Sequence, residues 1–458
     1  MINGIENDGL VQEETGMYRG EGKYKSSARK WTVSANKVRG LVKDMNTRAL
    51  VEGKPVAWVM LSMINELFVA MDVLPVYPEN YASLCATKRV GEPFIERAEA
   101  DGFSNVLCSY ARTGLGYAAL WQDTGDIPDF APDGGMAKPT MLIGSGFMCD
   151  ARYKWFQSFS RYLDVPCYSF DMPIPPPGSA RRPDTMLHYL NYTLAQLRGL
   201  IAFMEKTLGK KLDWDKLDEI VRRSQKTNTL MYDAFILAAS TEPCPMPAED
   251  TFNNFVPAYF MAGTVEALEF YQGLYDEVKQ RVDNKVSIIP EEKYRLIWGG
   301  GIPPWHTMDI FNYVEDLGGV FVYQTSYQPF APVEIPDAVT DPLMRMLLMR
   351  TRPAAAYIAR QQGIRQSSLG GLAGLFSPVA LIQPFHAQGV VMSMQRSCRS
   401  ATIGQLHQRH LLEESFPASS VLILESDMGD IRDHSEVEWK SKLDAFLETM
   451  AAKKKVDS

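Results

Sequence analysis

The sequence predicts an α/β protein built on parallel sheets. Three observations carry that expectation: short apolar segments recur along the 458 residues, helix-length stretches separate most of them, and they fall into two groups either side of a long helical block. A strand covered on both faces reads as a near-continuous apolar run, and alternation with helices is the pattern of parallel sheets.

In chain order, the expected strands are Pro55–Leu61, Thr140–Gly146, Cys167–Asp171, Tyr294–Gly300, Gly318–Gln324, Gly389–Met394 and Ser419–Glu425. Each is short and rich in Val, Ile, Leu or aromatic residues. The first 35 or so residues are polar, lysine-rich around Lys23–Lys30, and read as an arm lying on the surface or on a partner. Between the strand groups, Leu194, Leu197, Ile201, Met204 and Leu208 step by three and four, the buried stripe of a helix. Gly209 ends that helix, and Asp213 caps the next, which begins at Trp214. A further helix over Val265–Val282 turns Leu268, Tyr271, Leu274 and Val278 inward. The proline-rich run Pro173–Gly178 marks the exit from the first sheet. The resulting division is an arm over 1–54, an α/β domain over 55–182, a helical block over 183–284 and a second α/β domain over 285–458, each sheet domain flavodoxin-like.

Composition bounds the function. Hydrophobic residues make up 46% and charged residues 22%, an ordinary globular balance. A net charge of −8 argues against a nucleic-acid partner. The longest apolar stretch, Ala57–Leu74, is broken by Asn65, Glu66 and Asp72 and is too polar to span a membrane. The acidic N-terminus does not read as a signal peptide, so the expected location is cytoplasmic. Without an export signal, the six cysteines do not read as a disulfide framework.

Cysteine placement is the most informative feature. Cys149 follows the strand Thr140–Gly146, and Cys398 follows Gly389–Met394. Ligands of open parallel sheets bind beyond the carboxyl ends of strands, so cysteines delivered there from distant segments suggest a cofactor. Cys108, opening a helical segment, is the natural third ligand, although buried free cysteine is also common core filler. The separations of 41 and 249 residues match no short cluster motif. Cys167 reads as strand core, Cys85 as helix core and Cys244 as a loop thiol; His407 and His410 read as a solvated helix face rather than zinc ligands. Gly299–Gly301 would let backbone approach a ligand, though a tight turn explains these glycines equally well. Neither a G-x-G-x-x-G nor a G-x-x-x-x-G-K-[ST] phosphate loop is present, nor a G-x-S-x-G elbow.

Five motifs in order carry a family resemblance: the segment Glu66–Asn80 ending in YPEN, LCSYAR over Leu107–Arg112, a cysteine five residues before Lys154–Trp155–Phe156, EEKYRL over Glu291–Leu296 followed by Pro303–Pro304–Trp305, and RSC over Arg396–Cys398. From about Pro55 to Met450 the chain resembles subunits of 2-hydroxyacyl-CoA dehydratases and benzoyl-CoA reductases. The resemblance implies a [4Fe–4S] cluster held by Cys108, Cys149 and Cys398, an acyl-CoA substrate, a homologous second subunit and a separate ATP-hydrolysing iron–sulfur activator protein. It also implies low-potential electron transfer into the thioester through a ketyl-type radical.

Within that family, GSGFMC around Cys149, EKYRL and Gly404–Gln405–Leu406 look like the reductase branch, whereas YPEN and LCSYAR look equally like dehydratase alpha subunits. The favoured expectation is an ATP-dependent benzoyl-CoA reductase forming a dienoyl-CoA; the alternatives are a 2-hydroxyacyl-CoA dehydratase and an electron-relay or structural partner subunit. Phe147, Gly300 and Trp305 are expected to line the substrate site, with Tyr323 and Phe330 as further aromatic candidates. Backbone amides of Gly144–Gly146 and either Arg396 or Arg399 are expected to surround the cluster.

Overall fold

The computed structural model describes residues 10–12, 18–20, 26–61, 64–173, 182–351, 377–432 and 434–457. All but the first residue of the proline-rich run Pro173–Gly178 lies outside them. A short antiparallel hairpin of β1 (Leu10–Gln12) and β2 (Tyr18–Gly20) precedes two four-stranded sheets.

The first sheet contains β3 (Val56–Val59), β4 (Leu74–Val76), β5 (Met141–Ser145) and β6 (Cys167–Phe170), in the spatial order β4-β3-β5-β6. The second contains β7 (Tyr294–Gly299), β8 (Gly319–Gln324), β9 (Gly389–Gln395) and β10 (Ser420–Ser426), in the order β10-β9-β7-β8. Every pairing within both sheets is parallel. Each sheet therefore repeats one topology, second strand beside first and third beside first on its other edge, which is the flavodoxin-like order.

The strand β4 has no counterpart among the expected strands. It is three residues long and carries Pro75 at its centre, so neither length nor pattern announces it. Proline is tolerated because β4 is an edge strand and its N–H row has one neighbour to serve.

Burial follows the strand period. In β3, Ala57 and Val59 join the larger core, whereas Val56 and Trp58 face the other side; in β5, Met141 and Ile143 face the first way and Leu142 the second. The larger core is continuous from this sheet through Leu197, Leu217 and Phe235 to Leu296 and Val390 of the second sheet. The smaller core packs Trp58, Leu142, Tyr117 and Phe156 on the opposite face.

The intervening helices take their expected boundaries from their caps. Pro183–Leu208 ends at Gly209, whose φ of +67° is the left-handed cap glycine favours. Trp214–Ser240 starts where the Asp213 side chain accepts from the N–H of Lys216, and Val265–Asp283 starts where Thr264 accepts from Ala267.

From Ser26 onward, the stretch expected as an arm is tied into the body. The N–H groups of Trp31 and Thr32 donate to the Asp250 carboxylate at 3.1 and 2.7 Å, and Arg29 pairs with Glu315 and Asp316. The helix Val33–Val51 follows. No helix among the described residues is long and apolar enough to cross a membrane.

Candidate functional site

Both sheets deliver a cysteine just beyond a strand end. β5 stops at Ser145, and four residues later Cys149 precedes the helix Ala151–Leu163. β9 stops at Gln395, and three residues later Cys398 caps the helix Arg399–Thr402. Cys108 caps the helix Ser109–Thr124. Met148, immediately before Cys149, holds φ at +69°, a conformation costly for a residue with a side chain and characteristic of functional loops.

The three cysteines line one cavity of 1640 Å³. Burial pushes the Cys108 thiol well up, and the nearby Cys398 and Cys149 sulfurs push it further. All six cysteines are free. Among the described residues no three His, Cys, Asp or Glu side chains stand where a single ion could be held. A cubane makes a different demand, because each thiolate binds a different iron and the sulfurs need not converge on one point. Three free thiols around a partly buried cavity, with a guanidinium nearby, fit such a group.

That guanidinium belongs to Arg152. It donates to the carbonyl of Phe147 at 2.8 Å and pairs with Glu79 at 2.6 Å. Burial opposes its charge, but the Glu79 carboxylate and then the Cys149 thiol outweigh burial and hold it protonated. Glu79, its side chain 13% exposed, also accepts from the N–H of Leu61 at 2.7 Å. This pair was not singled out from sequence, although Arg152 lies only three residues after Cys149 and Glu79 is the acidic residue of YPEN.

Phe147, Gly300, Trp305 and Phe330 all line the cavity. Gly300 has φ of +84°, and a Cβ there would stand 2.7 Å from Nε2 of Gln405, so glycine is required. The Trp305 indole N–H donates to the Tyr110 hydroxyl, which fixes the ring against the helix that Cys108 caps. Phe255 and Tyr327 stack at 3.9 Å in the same lining, adding a flat aromatic wall.

Other expectations fail on geometry. Tyr323 lies within β8, buried against Phe385, and does not reach the cavity, because its segment is strand rather than strand-end loop. Arg396 pairs with Glu425 and Arg399 with Asp150, both pairs at the surface, so the cation held beside the thiols is Arg152. Cys167 opens β6 half-buried rather than as full core. Cys244 is buried and donates its thiol to the carbonyl of Met246 at 3.3 Å, and Cys85 is buried in the helix Pro78–Thr87.

The sequence profile of the family described as 2-hydroxyglutaryl-CoA dehydratase, D-component, matches residues 61–450. The chain belongs to that family. The dehydratase D-component match covers β4, β5 and β6 of the first sheet, all of the second sheet and all three cavity cysteines. Among curated relatives, the (R)-phenyllactyl-CoA dehydratase alpha subunit of Clostridium sporogenes is 27% identical over 88% of this chain and 92% of its own length. The (R)-2-hydroxyisocaproyl-CoA dehydratase alpha subunit of Clostridioides difficile is 26% identical over 90% and 93%. A benzoyl-CoA reductase subunit of Thauera aromatica is 25% identical over 85% and 87%. The family thus contains subunits of both enzyme types.

Proposed function

We propose that this chain is the cluster-bearing subunit of a 2-hydroxyacyl-CoA dehydratase, with Cys108, Cys149 and Cys398 holding a [4Fe–4S] cluster at the cavity they line. Bound there, the cluster would supply single electrons and a Lewis-acidic iron to the thioester carbonyl. Its electrons would come from a separate ATP-hydrolysing activator, and a homologous second subunit would complete the enzyme.

The observation that carries the dehydratase reading is Glu79. Loss of water removes a hydroxyl from carbon 2 and a proton from carbon 3, and that proton needs an acceptor. Of the acidic residues among the described lining, Asp44 and Asp133 are exposed, and Glu79 is the one held inside. Arg152 and the Leu61 N–H fix the Glu79 carboxylate, which keeps its orientation and leaves it an acceptor in the same lining as the aromatic rings. The stacked rings of Phe255 and Tyr327 give a flat acyl group a surface to stack on.

That same lining, Trp305, Phe255 and Tyr327 above all, favours a second reading: reduction of the ring of benzoyl-CoA to a dienoyl-CoA. The deciding experiment offers a 2-hydroxyacyl-CoA and benzoyl-CoA, in parallel, to the complete activated complex. Enoyl-CoA from the hydroxy substrate alone supports the dehydratase; dienoyl-CoA from benzoyl-CoA overturns it in favour of the reductase.

A further inference from the structure

The cavity is larger than an acyl group needs, since small-molecule sites usually enclose about 300–1,000 Å³ and this one encloses 1640 Å³. Its lining also combines two chemical characters. Besides the thiols and aromatic rings, the helix Val33–Val51 lines it and contributes Lys37, Arg39 and Lys43. Lys88, beside the helix Pro78–Thr87, adds a fourth cation, paired there with Asp133. Against these cations the same region sets Asp44 and Asp133, an excess of positive charge in a chain whose net charge is −8.

Gly40 is the second observation. It lies between Lys37 and Lys43 at helical steps of three, so the three residues share a face. Glycine in a helix interior destabilises it relative to alanine, and packing does not require glycine here, because an added Cβ would meet nothing within 4 Å. What glycine leaves is open space over bare backbone, flanked by two exposed ammonium groups. An elongated ligand with an anionic end and a thioester end matches a cavity whose lining holds both these cations and the three thiols.

We propose that Lys37, Gly40 and Lys43 form the binding site for the phosphorylated adenosine end of the CoA thioester, the ammonium groups contacting its phosphates and Gly40 letting the nucleotide lie close to the helix. This rests on the thioester reading above. Lysine serves phosphate as a mobile point charge, and two exposed lysines so placed make binding sensitive to salt.

The test is calorimetric binding of free CoA to the purified complex, a measurement that needs neither turnover nor an acyl group. Wild type should bind CoA, adenosine 3′,5′-bisphosphate should compete with it, and raised salt should weaken it. K37E/K43E should lose about tenfold or more in affinity, as expected when charge-assisted phosphate contacts are replaced by repulsion. K37R/K43R should retain affinity. K37Q/K43Q removes the charges without reversing them and decides the matter if the double glutamate variant folds poorly. Unchanged CoA affinity in a folded K37Q/K43Q or K37E/K43E variant overturns this site while leaving the thioester reading intact. Failure of the wild type to bind CoA overturns the thioester reading, and this site with it.

Discussion

The backbone N–H of Ser109 donates to the hydroxyl of Ser397 at 3.2 Å, joining the residue after Cys108 to the residue before Cys398 across 288 positions of the chain. The Ser397 hydroxyl in turn donates to the Asp427 carboxylate, whose other oxygen accepts from the N–H groups of Gly429 and Asp430 at 2.9 and 3.0 Å. The loop after β10 therefore clamps two of the three cysteine-bearing segments. Replacing Ser397 with Ala strands a buried N–H and removes a donor from a buried carboxylate, a loss of about 1–3 kcal/mol. Denaturant titration of S397A should show that loss; a wild-type midpoint would mean the clamp contributes nothing.

Cluster ligation makes a selective prediction. Serine at Cys108, Cys149 or Cys398 should strip most of the iron from anaerobically purified protein, because iron–sulfur clusters are held by thiolates. Serine at Cys85, Cys167 or Cys244 should leave iron content unchanged, with Cys85 and Cys244 losing some stability as buried residues. Iron analysis reads both sets, and equal loss from both would refute the proposed ligand set.

Removing Arg152 should cost more than removing a surface charge. R152M leaves the Glu79 carboxylate mostly buried, with the Leu61 N–H as its one remaining partner among the described residues. Breaking such a pair by deleting one member costs about 3–5 kcal/mol. R152K, which keeps the charge but loses the two-way reach to Glu79 and the Phe147 carbonyl, should fall between. Equilibrium unfolding of the two variants orders them, and R152M as stable as wild type would show the pair to be dispensable.

Acid should expose a different contact. Burial alone would raise the Asp430 carboxyl, yet the hydrogen bonds of Arg432 and the Arg112 charge bring it down from its ordinary 3.8 to about 2. A carboxyl depressed in the folded state contributes its stabilisation above the unfolded value and loses it as pH falls toward the folded one. Stability should therefore decline between pH 3.8 and about 2, by up to about 2 kcal/mol from this group. D430N should flatten that part of the pH–stability curve; an unchanged acid limb would assign the decline to other carboxylates.

Much of the fold was legible locally. Seven expected strands correspond to β3 and β5–β10 because each reads as a short apolar run, whereas β4, an edge strand of three residues with Pro75, has no such run. The candidate lining was legible in part: Phe147, Gly300 and Trp305 sit just past strand ends, but Tyr323 was misplaced because a strand's last turn into a loop is not marked in its residues.

Periodicity, caps and strand-end cysteines are properties of short segments, so the sequence by itself determined the α/β class, the helix boundaries at Gly209 and Asp213, and which cysteines were candidates. Sheet order, the meeting of three thiols at one cavity, and the pairing of Glu79 with Arg152 were decided only by the tertiary structure. Local burial leaves its mark on neighbouring residues, three or four apart in a helix and two apart in a strand. Contacts between segments separated by 41, 73 or 249 residues depend on how the intervening strands are ordered, and no local pattern records that order.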